Sequence, residues 1–146
     1  SLEANLGKGL EYCRKAKEQG ADIALFPEMW SCGYRIPNDI KRLKSSATKI
    51  DSPFVDSFRE LARDLRMSIG ITILEQYEPL PRNTFCLIDE TGNIVLTYAK
   101  VHTCVFGDER NLTAGDDFHV AGLKTSQGTV KVGAMICLHR QIISWY

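Results

Sequence analysis

Residues 23–26, Ile-Ala-Leu-Phe, form an apolar run that alternates poorly and stops at Pro27, a residue that cannot donate to a sheet ladder. A run apolar on both faces suits a strand buried on both sides, and such a strand needs layers above and below it. The segment before it supplies one candidate layer. Over residues 2–19, Leu6, Leu10 and Cys13 recur at i, i+4 and i+7 among Lys and Glu, the pattern of an amphipathic helix, with Gly20 placed to end it. Residues 28–37, with Gly33 and Pro37, read as a loop. A second helix starts at Ser52 as N-cap with Pro53 at the first helical position, followed by Phe54, Phe58, Leu61 and Leu65 on one face. Residues 67–74 read as a strand, and residues 84–89 and 94–98 flank Glu90-Thr91-Gly92-Asn93 as a hairpin. A polar loop over 100–117 and a turn at 125–128 lead to a last strand over 129–137.

The order predicts an α/β sandwich with a mixed sheet, as one domain over residues 1–146. One defect remains in that scheme. A helix opens the chain and a strand closes it, with nothing to cover the second face of the sheet. The expectation is therefore a part of a larger domain.

Lys+Arg and Asp+Glu balance at 18 each, which offers no basic field for nucleic acid and no cationic stripe for an anionic membrane. Hydrophobic residues at 44% and charged residues at 25% argue against disorder. The apolar stretches are far shorter than the roughly 20 residues of a membrane span. The first twenty residues, dense in Glu and Lys, do not read as a secretory signal, so a cytoplasmic location is expected. Five cysteines at irregular spacing, without a CxxC pair, point to reduced thiols. His102, Cys104, His119, Cys137 and His139 do not match zinc-ligand spacings, and no metal is expected.

Three residues fall just past strand ends, where functional groups gather in open α/β sheets. Glu28 follows the first strand, Lys100 follows the second arm of the hairpin, and Cys137 ends the last strand. Taken singly, each has an ordinary reading: a solvated loop carboxylate, an edge lysine, a core cysteine. Together they suit nucleophilic catalysis. A thiol with a pKa of about 8.5 is mostly protonated at neutral pH. An ammonium beside it would favour the thiolate. A carboxylate could instead take its proton, a transfer uphill by roughly 4 pKa units in water, about 5–6 kcal/mol, which burial of the carboxylate would reduce. Cys13 and Cys86 fit the core, and Cys104 is a rival loop thiol near Lys100.

Phe26-Pro27-Glu28, Tyr98-Ala99-Lys100-Val101-His102-Thr103 and Val132-Gly133-Ala134-Met135-Ile136-Cys137 resemble the three ordered motifs of the nitrilase superfamily, the carbon–nitrogen hydrolases. Gly20-Ala21-Asp22-Ile23 and Phe106-Gly107-Asp108-Glu109 are also similar to family members. The resemblance implies an α-β-β-α sandwich of which about the first half is present. It implies Cys137 as nucleophile, Glu28 as general base, and Lys100 with the Leu138 backbone N–H at the oxyanion. It implies Glu109, nine residues after Lys100, as a second glutamate near lysine and substrate. The implied substrate is a small amide, carbamoyl compound or nitrile, the implied cofactor none, and the full-length form a homo-oligomer. Residues 138–146 depart from the family pattern and are expected to be an altered end, with the family's first strand and second α-β half missing. Two other readings follow: a truncated, non-catalytic fragment, or a Cys–His thiol hydrolase using Cys137 with His139 or His102. Tyr34 and Phe106 are candidates to line a pocket.

Overall fold

The computed structural model describes residues 1–104 and 107–136. Helix α1 (Leu2–Glu18) runs to Gln19 and turns at Gly20, whose φ of 82° lies in the left-handed region that glycine enters at little cost. Strand β1 (Ile23–Leu25) follows, and then a loop leads to the short α2 (Ile40–Ser46), started by the Asp39 side chain accepting from Arg42 N. Helix α3 (Pro53–Leu65) begins as expected, with Ser52 Oγ accepting from Val55 N and Pro53 in the first turn. Its face of Phe54, Val55, Phe58, Leu61 and Ala62 is buried.

Strands β2 (Ser68–Glu75), β3 (Arg82–Ile88) and β4 (Ile94–Ala99) join β1 in a sheet ordered β1-β2-β3-β4. The β1–β2 pair is parallel and the others antiparallel, a mixed sheet. Alternation sorts the residues to two faces. Ile69, Ile71 and Ile73 of β2 and Cys86 and Ile88 of β3 pack with Cys13 of α1 and the buried face of α3. On the reverse face, Leu87 of β3 and Leu96 and Tyr98 of β4 pack against Ala121 and Leu123. Those two belong to β5 (Val120–Thr125), which pairs with β6 (Gly128–Gly133) in a separate antiparallel hairpin. The layers are therefore helix, sheet, hairpin. All eight residues of β2 are buried because layers lie on both sides of it. At roughly 1.5–3 kcal/mol per large apolar side chain, these two interfaces are the main source of stability.

The structure corrects several expectations. The final strand does not join the first sheet: it pairs back on β5 and supplies cover for the second face, which the sequence reading left bare. It also ends at Gly133, short of the expected 137. The first strand is not buried on both sides. It pairs with β2 alone among the described residues, and Leu25 is 69% exposed, because the hairpin covers only part of that face. Helix α2 was not anticipated, having only seven residues and one buried side chain, Leu43.

Thr72 ties the loop after β1 to the centre of the sheet. Its hydroxyl donates to Pro27 O at 2.6 Å and accepts from Trp30 N at 3.1 Å, while its carbonyl accepts from Ser31 N at 3.2 Å. Thr72→Val keeps the strand's shape but strands the Pro27 carbonyl and Trp30 amide. The expected loss of unfolding free energy is about 1–3 kcal/mol, measured by urea denaturation of the two chains.

Candidate functional site

Lys100 takes its position from β4 and two backbone bonds. Its N–H donates to Asn83 O at 2.8 Å, and its carbonyl accepts from Gly115 N at 2.9 Å. Alternation puts its side chain on the face of Leu96 and Tyr98, between the sheets. The return segment passes so close that a Cβ at position 115 would lie 2.2 Å from Ala99 O, so only glycine fits there. The Lys100 side chain is fully buried.

Glu28 and Glu109 meet that ammonium. Lys100 Nζ lies 2.8 Å from Glu28 Oε1 and 2.9 Å from each oxygen of Glu109. Glu28 sits at the start of a loop with unusual backbone, in which Met29, Gly33 and Tyr34 have φ of 58°, 62° and 59°. Left-handed geometry at two non-glycine residues costs of order 1–3 kcal/mol each. It is held by the Thr72 contacts, by Ser31 Oγ accepting from Leu74 N, and by reciprocal bonds between Asn5 and Trp30. Glu109 comes from a 3-10 turn (Asp108–Asn111) within the segment read as polar loop.

The two carboxylates have different surroundings. Glu109 is 1% exposed and also accepts from Cys104 N at 3.0 Å, Asn83 Nδ2 at 3.2 Å and the Tyr34 hydroxyl at 3.3 Å. Burial works against its charge, yet the hydrogen bond and charge of Lys100, with the Cys104 amide and Asn83, hold it below the usual carboxylate range. Burial likewise opposes the Lys100 charge, but Glu109 and Glu28 overcome it and hold the ammonium above the ordinary lysine range. Tyr34 is pushed up by burial and by the charges of Glu109 and Glu28, so its phenol remains a donor. On Glu28, Oε1 takes both Lys100 and Asn83 Nδ2, each at 2.8 Å. Oε2 has no hydrogen bond among the described residues, and the side chain is 21% exposed.

Glu28 opens on a cavity of about 320 Å³ between the two sheets, walled by Phe26, Phe85, Leu87, Val132 and Ile136. Ile136 immediately precedes Cys137. Cys137, Leu138, His139 and Phe106 lie outside the described residues. The structure thus brings Glu28, Lys100 and Glu109 together. Tyr34, a candidate pocket residue, donates its hydroxyl to Glu109 Oε1. Asn83 was missed, although an Asn inside an apolar strand is a costly choice that asks for a partner. No group of three His, Cys, Asp or Glu that could hold a metal occurs among the described residues, where no helix is long and apolar enough to cross a membrane.

The family profile described as "Carbon-nitrogen hydrolase" matches residues 1–142. A glutamine-dependent NAD(+) synthetase of Thermotoga maritima is 28% identical over 141 residues, covering 93% of this chain and 23% of that protein. A 2-oxoglutaramate amidase of Paenarthrobacter nicotinovorans is 28% identical over 124 residues, covering 80% of this chain and 41% of that protein. Among solved structures, an amidase from Nesterenkonia sp. superposes with a TM-score of 0.72 at 21% identity, over 94% of this chain and 50% of that one. A variant of a Nesterenkonia amidase has been solved in complex with butyramide; it superposes with a TM-score of 0.70 at 20% identity, over 92% of this chain and 50% of that one. The chain spans less than half the length of the curated relatives named here.

Burial pushes both Cys13 and Cys86 up to about 12, so iodoacetamide at pH 8 should label them far more slowly in the folded chain than in urea, as read by peptide mass spectrometry. Glu109, held low in the folded chain, adds stability that is present above the unfolded value of about 4.3 and lost as pH falls through its folded value. The melting temperature of Glu109→Gln should accordingly fall less steeply than wild type between about pH 5 and pH 2.

Proposed function

This chain belongs to the carbon–nitrogen hydrolase family, and we propose that it carries the Glu28, Lys100 and Cys137 of a thiol amidase acting on small non-peptide amides. The carrying observation is the ammonium of Lys100 at 2.8 Å from Glu28 and 2.9 Å from Glu109, beside a cavity that Glu28 and Ile136 both line.

Charge balance selects between the two ways of activating the thiol. Two carboxylates and one ammonium leave a net charge of −1, and Lys100 is already committed to both carboxylates. A negative site disfavours a resting thiolate. Cys137 is therefore held as a thiol, and Glu28 Oε2, the carboxylate oxygen with no partner among the described residues, takes its proton as sulfur attacks the amide carbon. The new C–S bond makes a tetrahedral adduct, whose oxyanion Lys100 and the Leu138 N–H stabilise. Collapse breaks the C–N bond, and Glu28 returns its proton to the leaving ammonia. Water then attacks the thioester, Glu28 accepting one of its protons, and the carboxylic acid departs as the thiol reforms. Glu109 is too fully engaged to exchange protons and instead holds Lys100.

A cavity of about 320 Å³ with apolar walls suits a short acyl chain. The 2-oxoglutaramate amidase is a relative whose name supports an amide, while nitrile-acting relatives, among them a cyanide hydratase of Neurospora crassa, keep a nitrile within the same reading. A carbamoyl compound fits the same chemistry.

The test is ammonia release from butyramide and propionamide by the protein that carries this chain. Glu28→Gln should lower kcat by about 10²–10⁴-fold, with some loss of melting temperature from the weakened Lys100 pair, and Cys137→Ala should remove turnover with the wild-type melting profile. Retained turnover in Cys137→Ala would exclude the thioester route. An acid limb near 6.5 that His102→Ala abolishes would favour an imidazole base instead. A second reading, in which these 146 residues do not turn over by themselves, rests on Leu25 and Met135, apolar yet exposed at 69% and 55% beside the cavity. Ammonia release by the isolated chain would overturn that second reading.

A further inference from the structure

We infer that Asn83 is a positioning residue that divides the labour between the two carboxylates, pinning Glu28 by one oxygen so that the other is presented as the base. This rests on the reading of Glu28 as base given above. Asn83 is fully buried in β3, between Arg82 and Thr84. Its neighbours serve the opposite face: Arg82 Nε and Thr84 Oγ1 donate to Glu75 Oε2 at 2.7 and 2.6 Å. Alternation leaves Asn83 as the one β3 side chain that reaches both site carboxylates. Its Nδ2 donates to Glu28 Oε1 at 2.8 Å and to Glu109 Oε1 at 3.2 Å.

The price of that arrangement is visible in the same side chain. With both amide protons directed to carboxylates, Oδ1 has no hydrogen-bond partner among the described residues. A strand chosen for stability alone would place an apolar residue there, since a buried polar atom without a partner is costly. The geometry also explains why a lysine alone is insufficient. Lys100 Nζ is shared between both carboxylates, so without a second donor Glu28 could rotate about its terminal bond and exchange its two oxygens. Asn83 and Lys100 lie side by side, joined by the Lys100 N–H to Asn83 O bond, and act on the same oxygen of Glu28 from adjacent strands.

The experiment compares Asn83→Leu, which keeps the branching and removes both donors, Asn83→Ser, which keeps one donor, Thr84→Val and Glu28→Gln in the protein that carries this chain. With butyramide, Asn83→Leu should lower kcat by about 10–100-fold while KM stays nearly constant. Its acid limb should move to higher pH, because a carboxylate that loses a donor is easier to protonate. Asn83→Ser should fall between it and wild type. Thr84→Val, buried next door on the other face, should lower the melting temperature and leave the limb in place. An unshifted limb in Asn83→Leu, or an equal shift in Thr84→Val, overturns the inference. Turnover retained by Glu28→Gln removes the base itself, a failure distinguishable from that of Asn83 because it does not depend on any variant at position 83.

Discussion

A lysine ammonium with no solvent exposure, clamped between two carboxylates, is the constraint to which the rest of the structure answers. Removing one such ion from water costs several kcal/mol even after relaxation, and breaking a buried pair leaves an uncompensated charge. The fold therefore has to deliver three ionic groups, from the end of β1, the end of β4 and a 3-10 turn, to one point between the sheets. Every local irregularity nearby serves that delivery. Gly115 permits the return segment to grip the Lys100 carbonyl, Thr72 and Ser31 hold the left-handed loop after Glu28, and the Cys104 amide completes Glu109.

The sheet carries a polar group on each face of its β3 end without confusing them. On the helix side, Glu75 is satisfied by Arg82 and Thr84, and the Arg82 guanidinium lies 3.9 Å from the Tyr77 ring centroid. On the hairpin side, Asn83 and Lys100 serve the site. Asn83 adjoins both Arg82 and Thr84 in sequence, yet a strand's two-residue period puts the sheet between them. A one-residue slip of β3 would exchange these roles and bury unpaired charge, so the polar groups reinforce the register that the apolar residues set.

Much of the scaffold was legible from patterning. The Ser52-Pro53 start and the Phe54, Phe58, Leu61 face of α3, the hairpin around Gly92, and the burial of Cys13 and Cys86 depend on local spacing and propensity. The α/β sandwich followed from the order of those elements. What went astray depended on partners distant in sequence. Leu25 is as apolar as a core residue, but its exposure depends on how far the hairpin extends over β1. Residues 120–133 alternate as any strand does, and nothing local distinguishes joining the first sheet from folding back as a hairpin upon it.

The sequence by itself determined the chemical inventory: a carboxylate, an ammonium and a second carboxylate at positions 28, 100 and 109, in an order that resembles one family of hydrolases. For Glu28 and Lys100 it could do so because strand ends are marked by local breaks in apolar pattern; Glu109 rested on the resemblance alone. Only the tertiary structure decided that the three groups share hydrogen bonds, that Glu109 is saturated while one oxygen of Glu28 is free of described partners, and that Asn83 belongs with them. Those are properties of distances between segments up to 81 residues apart, from Glu28 to Glu109, and distance across a fold follows from packing, which no short window of residues encodes.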